Sequence, residues 1–354
     1  MSAFSKKAYT SDKGFPPIPL IKSATPKTGS AEDTDRNREQ DTMSQIISNW
    51  TDEKTAQFQK EIFTFEHRLS ETGLFTDEAL VELLEKHPTN MLDVCTMEQA
   101  ENTLYPNKFR TGDFRDTPGT VMLEAAKAGK VWINVRRAMN IHPEYKAVLD
   151  SMYGNLAEVS GSALFNANGG ILISSPIAKV PYHFDKTEVI LWHVRGQKRV
   201  YVYPKTGEFI SDESHENALS SYIDDDLPFK DSFNDHATII DLEDDQGACW
   251  PLHSPHRVDN RTFCVSVTTE YSTRESGMKN AAMITNSLLR HRFGMTPSYS
   301  QDGAVTRQVK SVFGRVIKKA GLLPNRTESD LVTFKLDPNV PDYIVDIEPF
   351  ERCF

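Results

Sequence analysis

Between Ser162 and Tyr271 apolar and polar residues alternate in short runs. "SALFNANGGILISS", "TEVILWHVR", "KRVYVYP", "ATIIDL", "GACWP" and "FCVSVTTEY" are broken by clusters of Gly, Pro, Asp and Asn. A two-residue period at this spacing predicts an antiparallel sandwich or barrel and not a doubly wound parallel sheet. Helical patterning precedes it. "TDEKTAQFQKEIFTFEHRL" opens with a Thr/Asp cap and sets Phe58, Ile62, Phe63 and Phe65 roughly along one face. Thr76 caps "TDEALVELLEKH", and "TPGTVMLEAAKAG" has Pro118 near its first turn and ends at Gly129. "KVWINVRRA" reads as a strand and "HPEYKAVLDSMYGNL" as a helix. After the β-rich stretch, helices return at "KNAAMITNSLLRHRF" and "AVTRQVKSVFGRVIKKAGLL", and "DYIVDIEPFERCF" ends the chain as a strand.

The expected division is a mobile N-terminal arm over 1–45, an N-terminal helical region over 46–129, a β core over 130–272, and a C-terminal helical region over 273–354. The fold class is mainly β with flanking helices. No internal repeat is present.

Composition narrows the function classes. The 354 residues are 38% apolar and 25% charged, with 40 Lys plus Arg against 50 Asp plus Glu and a net charge of −10. That balance opposes whole-surface attraction to nucleic-acid phosphates, although Arg307 to Lys319 is locally basic. Nucleic acid is therefore not an expected partner. Cys95, Cys249, Cys264 and Cys353 lack a C-x-x-C spacing and read as reduced thiols. No apolar run approaches the roughly 18 residues of a membrane span, and the first residues lack the apolar centre of a secretory signal. The expected location is cytoplasmic.

Chemistry concentrates in "VPYHFDKTEVILWHVRGQKRVYVYP". Residues two apart on a strand share a face, so His183 and Asp185 can cover two adjacent corners of an octahedral ion. A second histidine would complete a two-histidine-one-carboxylate triad with three corners open, the arrangement that suits ferrous iron in oxygenases. The same triplet also fits a strand-end histidine beside a turn-capping aspartate. Gly196-Gln197 is a candidate two-residue hairpin turn. It would set Arg195 opposite Lys198, His193 opposite Val200, and Leu191 opposite Val202. Lys198 then shares a face with Val189, Leu191, His193, Val200 and Val202, while Trp192, Tyr201 and Tyr203 face the other way. A lysine on such a face needs an anion, unless it sits at a solvated hairpin end. Further on, "GACWPLHSPHRVDN" offers His253 and His256, and the pattern alone does not choose between them.

Taken together, "SSPIAKVPYHFDKTEVILWHVRGQKRVYVYP", "WPLHSPHRVDN" and "VSVTTEY" resemble the JmjC and cupin-like iron(II)/2-oxoglutarate oxygenases, especially the factor-inhibiting-HIF-type hydroxylases and their bacterial cupin-like relatives. The matched region is about residues 171–271. The resemblance implies a double-stranded β-helix (jelly-roll, cupin-like) core. It implies His183, Asp185 and His256 as metal ligands, with His256 placed by a closing motif that includes Pro251, Val258 and Asn260. Lys198 matches the lysine that grips the distal carboxylate of 2-oxoglutarate, and His253 falls at a non-ligand position. The implied activity is that of an Fe(II)- and 2-oxoglutarate-dependent dioxygenase, a hydroxylase using dioxygen (O2), with succinate and carbon dioxide as co-products and a peptide or small molecule as substrate.

This chain departs from the family at Val189, where some relatives have asparagine, at His193, where relatives often have glutamine, and at "DDQGACWP", which lacks the usual Gly-Asp turn. Asn166, Asn168 and Thr269 are candidate co-substrate contacts, or else they satisfy strand ends. Tyr182 and Trp250 line the pocket or simply pack. His193 touches substrate or is a hydrogen-bonded core histidine. Cys249 and Cys264 fill the core, and Asp224 to Asp226 form a solvated loop. Rival readings are a cupin-like binding or regulatory protein without turnover, and a zinc or manganese cupin; Lys198 opposes the latter. The helices over 278–323 make a homodimer interface, as in related hydroxylases, or pack on their own barrel.

Overall fold

Strands that wind back and forth between two facing sheets build the centre of the protein. The computed structural model describes residues 45–97, 109–129, 131–220, 227–323 and 329–353. Residues 1–44 of the expected arm, and Asp224 to Asp226, lie outside the described residues.

The chain begins with α1 (Asp52–Gln57), β1 (Phe63–Glu66), α2 (Asp77–Lys86), β2 (Leu92–Met97) and β3 (Phe109–Asp113). Next come α3 (Gly119–Lys127), β4 (Trp132–Val135), α4 (Ala138–Ile141) and α5 (Pro143–Ser160). Thr51 and Thr76 accept the expected capping bonds, from the amides of Lys54 and Ala79. The helix expected through Phe65 instead stops at Gln57. Phe63 and Phe65 are buried while Thr64 and Glu66 are exposed, and β1 pairs with a core strand. Aromatic residues two apart fit a strand as well as they fit a helix face, and here the sheet edge decides.

The core strands are β5 (Phe165–Ser174), β6 (Lys179–His183), β7 (Glu188–Arg195) and β8 (Lys198–Val202), followed by α6 (Asp212–Ser220). They continue as β9 (Thr238–Leu242), β10 (Gln246–Cys249), β11 (His256–Asn260) and β12 (Cys264–Ser272). One sheet has the order β6-β11-β8-β9; the other contains β10-β7-β12-β5. From β5 to β12 the chain therefore changes sheet at every step except β8 to β9, which are neighbours in the smaller sheet, and every pairing among the eight is antiparallel. This is the jelly-roll winding. The larger sheet carries on through β4, β2 and β3 to β13 (Ser329–Leu336) and β14 (Ile344–Cys353), with α7 (Arg274–Phe293) and α8 (Ala304–Lys319) in between in the chain.

The winding corrects the expected hairpin at Gly196-Gln197. β7 pairs with β10 and β12, whereas β8 pairs with β11 and β9. The chain crosses from one sheet to the other at Gly196, whose φ is 96° and whose missing Cβ would lie 2.2 Å from the Phe263 carbonyl oxygen. Only glycine tolerates both demands. The face assignment nevertheless holds. Val189, Leu191, Val200 and Val202 meet Ile240, Leu242, Ala248, Trp250 and Val258 between the sheets. Ile190, Trp192 and Val194 point the opposite way, into the larger core shared with the N-terminal helices.

Candidate metal centre

The smaller sheet delivers the ligands. His183 is the last residue of β6 and His256 the first of β11, and their Cα atoms are direct partners across the ladder. Asp185 follows two residues later, in the turn that leads to β7. The two imidazole rings are 4.2 Å apart between centroids. The Asp185 carboxylate oxygens lie 3.3 Å from His256 Nε2 and 3.9 Å from His183 Nε2. One ligand atom from each of the three residues falls within 4.8 Å of the others, and all three residues are buried. Among the described residues this is the one group of three or more such side chains that could hold a metal.

Hydrogen bonds on the far side of each ring suit the rings to that task. His183 Nδ1–H donates to the Pro181 carbonyl at 2.7 Å, and His256 Nδ1–H to the Ser254 carbonyl at 3.1 Å. Each bond puts the proton on Nδ1 and turns the Nε2 lone pair toward the Asp185 carboxylate. Two lone pairs and an anion converging in a buried space repel one another unless a cation sits between them. The set of two nitrogens and a carboxylate oxygen fits a divalent iron.

His253 takes no part in the triad. It adopts φ 64°, is 2% exposed, and lays its ring 5.5 Å from Phe184 and 5.1 Å from His215. Burial holds it neutral.

At the other end of the smaller sheet Lys198 is 3% exposed. It pairs through its backbone with Asn260 and Leu242, and no described carboxylate lies within ion-pair distance of its ammonium. Burial pushes its pKa down. His193, on the same inner face, is fully buried and satisfied at both ring nitrogens, by Ser266 Oγ at 3.0 Å and the Gly196 carbonyl at 2.8 Å. It is the hydrogen-bonded core histidine of the two expectations. Burial and the neighbouring Lys198 lower its pKa to about 3.

Several expected contacts end elsewhere. Thr269 faces the larger core: its hydroxyl accepts from Trp192 Nε1 at 2.8 Å, and it stands beside Ile190. The inward residues of β12 are Ser266, Thr268 and Glu270, since Val265 and Val267 belong to the larger core and Thr269 continues their alternation opposite Ile190. Asn166 is exposed with φ 56°, a backbone conformation that asparagine tolerates. Asn168 is half-buried opposite Glu270, on the inward face of β5. Trp250 packs 4.7 Å from the His256 ring, between the sheets. Tyr182 packs with Tyr203, Phe209 and Phe233 and donates its hydroxyl to the Phe209 carbonyl. Cys249 and Cys264 are free and buried.

Sequence reasoning missed the charged group around the metal-bearing turn. Glu188, three residues beyond Asp185, is 5% exposed, and burial pushes its pKa up to about 7 against the attraction of Lys279 and Lys205. Nothing in the chain pattern joins these three, which meet only through the docking of α7.

No protein-family model matches the chain, and no curated protein sequence does. Solved structures similar to it include several of the Escherichia coli protein YcfD. A crystal structure described as the ribosomal oxygenase YcfD is 14% identical, with a TM-score of 0.43 over 77% of this chain and 67% of that one. Another, in complex with cobalt and 2-oxoglutarate, is 12% identical, with a TM-score of 0.41 over 75% of this chain and 65% of that one. Likeness at this level does not bear on what this chain does.

Proposed function

We propose that the chain is an Fe(II)- and 2-oxoglutarate-dependent oxygenase, a hydroxylase acting on a C–H bond of a peptide or small molecule in the cytoplasm. The observation that carries this reading is the pairing of a buried His183–Asp185–His256 triad with Lys198, a buried ammonium that has no carboxylate partner among the described residues. The triad alone would suit many metal cupins. A zinc or manganese isomerase gives Lys198 nothing to do, whereas a dicarboxylate co-substrate supplies the missing anion.

His183 Nε2, His256 Nε2 and one Asp185 oxygen would hold the iron, with the carbonyls of Pro181 and Ser254 fixing the rings. When bound, the iron supplies oxygen activation coupled to oxidative decarboxylation of 2-oxoglutarate to succinate and carbon dioxide. Lys198 pairs with the distal carboxylate by a charge-assisted hydrogen bond. Val189, Leu191, Val200, Val202 and Val258 keep water from that pair, and His193, neutral near pH 7, adds no second positive charge beside it.

A homodimer through the C-terminal helices belongs to the same reading. Val305, Val309, Val312, Phe313 and Val316 form one stripe along α8, each more than half exposed. The opposite face of α8 packs on α7, where a Cβ at Gly314 would sit 1.8 Å from the Ala281 carbonyl oxygen.

Anaerobic reconstitution with ferrous iron, followed by a succinate assay, tests the assignment. The wild-type chain is expected to bind one iron and to form succinate in the presence of 2-oxoglutarate and oxygen. His256→Ala loses both, and His253→Ala keeps the metal. Normal turnover by His256→Ala would refute the assignment.

A further inference from the structure

A cavity of about 440 Å³ opens where the first turns of α7 and α8 meet. Its walls bring together Arg274, Lys279 and Arg307, with Glu275 as the one acidic residue, and Tyr299 forms its aromatic side. On a chain with net charge −10, this is a local concentration of positive charge.

None of the three cations has an ion-pair partner among the described residues. Arg307 spends two of its donors on the carbonyls of Tyr299 and Ser300, which fixes its guanidinium 4.6 Å over the Tyr299 ring. The Lys279 ammonium stands 5.9 Å from the same ring. Burial, with Lys205 nearby, lowers the Lys279 pKa to about 8 against the attraction of Glu188, Glu275 and Asp212, and none of these carboxylates is close enough to form an ion pair with it. Gly303 begins α8 without a side-chain cap, so the amino end of that helix adds its own partial positive charge.

The helix that lines the cavity also touches the metal-bearing turn. Asn280, next to Lys279, donates its carboxamide to the Lys186 carbonyl at 2.7 Å, one residue beyond Asp185.

We propose that this cavity is a second anion-binding site, separate from the one at Lys198, which takes the carboxylate or phosphate group of a small molecule between Arg274, Lys279 and Arg307, with Tyr299 as a stacking surface. An anion there replaces water on three unpaired cations, and the ring accepts a planar ligand body.

Isothermal titration of the metal-free full-length chain tests the site, with inorganic phosphate and with benzoate as probes. Binding of at least one probe is expected, saturable at one per chain and weakened about tenfold or more by Lys279→Gln and by Arg274→Gln, each the loss of one charge-assisted contact. Near-UV circular dichroism verifies that the variants keep the native fold. Tighter binding of phosphate identifies a phosphate ligand, and tighter binding of benzoate a carboxylate. Lys198→Met leaves the binding intact, even if the oxygenase reading fails. The site is refuted if neither probe binds saturably, if both cavity variants bind like wild type, or if Lys198→Met alone abolishes binding.

Discussion

Lys198 and His256 stand at opposite ends of one antiparallel strand pair. The register of β8 against β11 sets His256 opposite Val202 and Lys198 opposite Asn260. Four residues of strand separate the two levels, about 13 Å along the sheet. The imidazole at one end and the long lysine at the other each take part of that span. What is left between them suits a short chain with an acid group at each end.

Replacing Lys198 therefore separates stability from binding. Lys198→Met keeps the stem and removes an unpaired buried ammonium. The chain without co-substrate is expected to resist urea as well as wild type or better. Affinity for 2-oxoglutarate is expected to fall by ~3–5 kcal/mol, since the distal carboxylate would be buried without a partner. Titration with 2-oxoglutarate, beside urea unfolding, reads both. Equal affinities would mean that the lysine serves another ligand.

Thr269→Val is the contrasting case. The variant keeps the shape of the side chain but takes away the acceptor of Trp192 Nε1, in a fully buried place. A stability loss of about 1–3 kcal/mol is expected, the cost of a buried donor left unmade. The KM for 2-oxoglutarate should stay at the wild-type value, because Thr269 faces the larger core. A raised KM with unchanged stability would return Thr269 to the co-substrate.

These two residues mark how far the sequence could be read. Period-two alternation reports the face of a strand, so the inward set of Lys198, Val200 and Val202 was legible, as was the H-x-D pair. Alternation does not report the neighbouring strand. A glycine turn after β7 looks the same whether the chain folds back as a hairpin or crosses to the facing sheet. Thr268 and Thr269 differ by one position, and the pairing of β12 with β7, which sets Thr269 beside Ile190, fixes which of them points inward. Phe63 and Phe65 fit a helix or a strand until β10 offers an edge. Glu188, Lys205 and Lys279 come together only through tertiary packing, which leaves no local trace in the chain.

The apolar stripe of α8 predicts self-association. Phe313→Glu puts a carboxylate in the middle of the stripe without touching Ser311, Gly314 or Ile317, which are buried. Wild-type chain is expected to sediment as a dimer and the variant as a monomer with unchanged helix content. A monomeric wild type at micromolar concentration would leave the stripe to another partner.

Glu188 gives a pH dependence whose sign runs against the usual carboxylate. Its pKa is raised from 4.5 to about 7, first by burial. Between those values the folded chain keeps a proton that the unfolded chain releases, so stability falls as pH rises through this window and the loss is complete above about 7. A displacement of that size corresponds to at most about 3 kcal/mol. Glu188→Gln stays neutral throughout and removes the term. Urea unfolding at pH 4.5, 6 and 8 is expected to show the variant level with wild type at the lowest pH and progressively more stable above it, by about 1–3 kcal/mol at pH 8. A difference that does not change with pH would mean that Glu188 is ionised in the folded chain and held by Lys279 and Lys205 more strongly than burial opposes it.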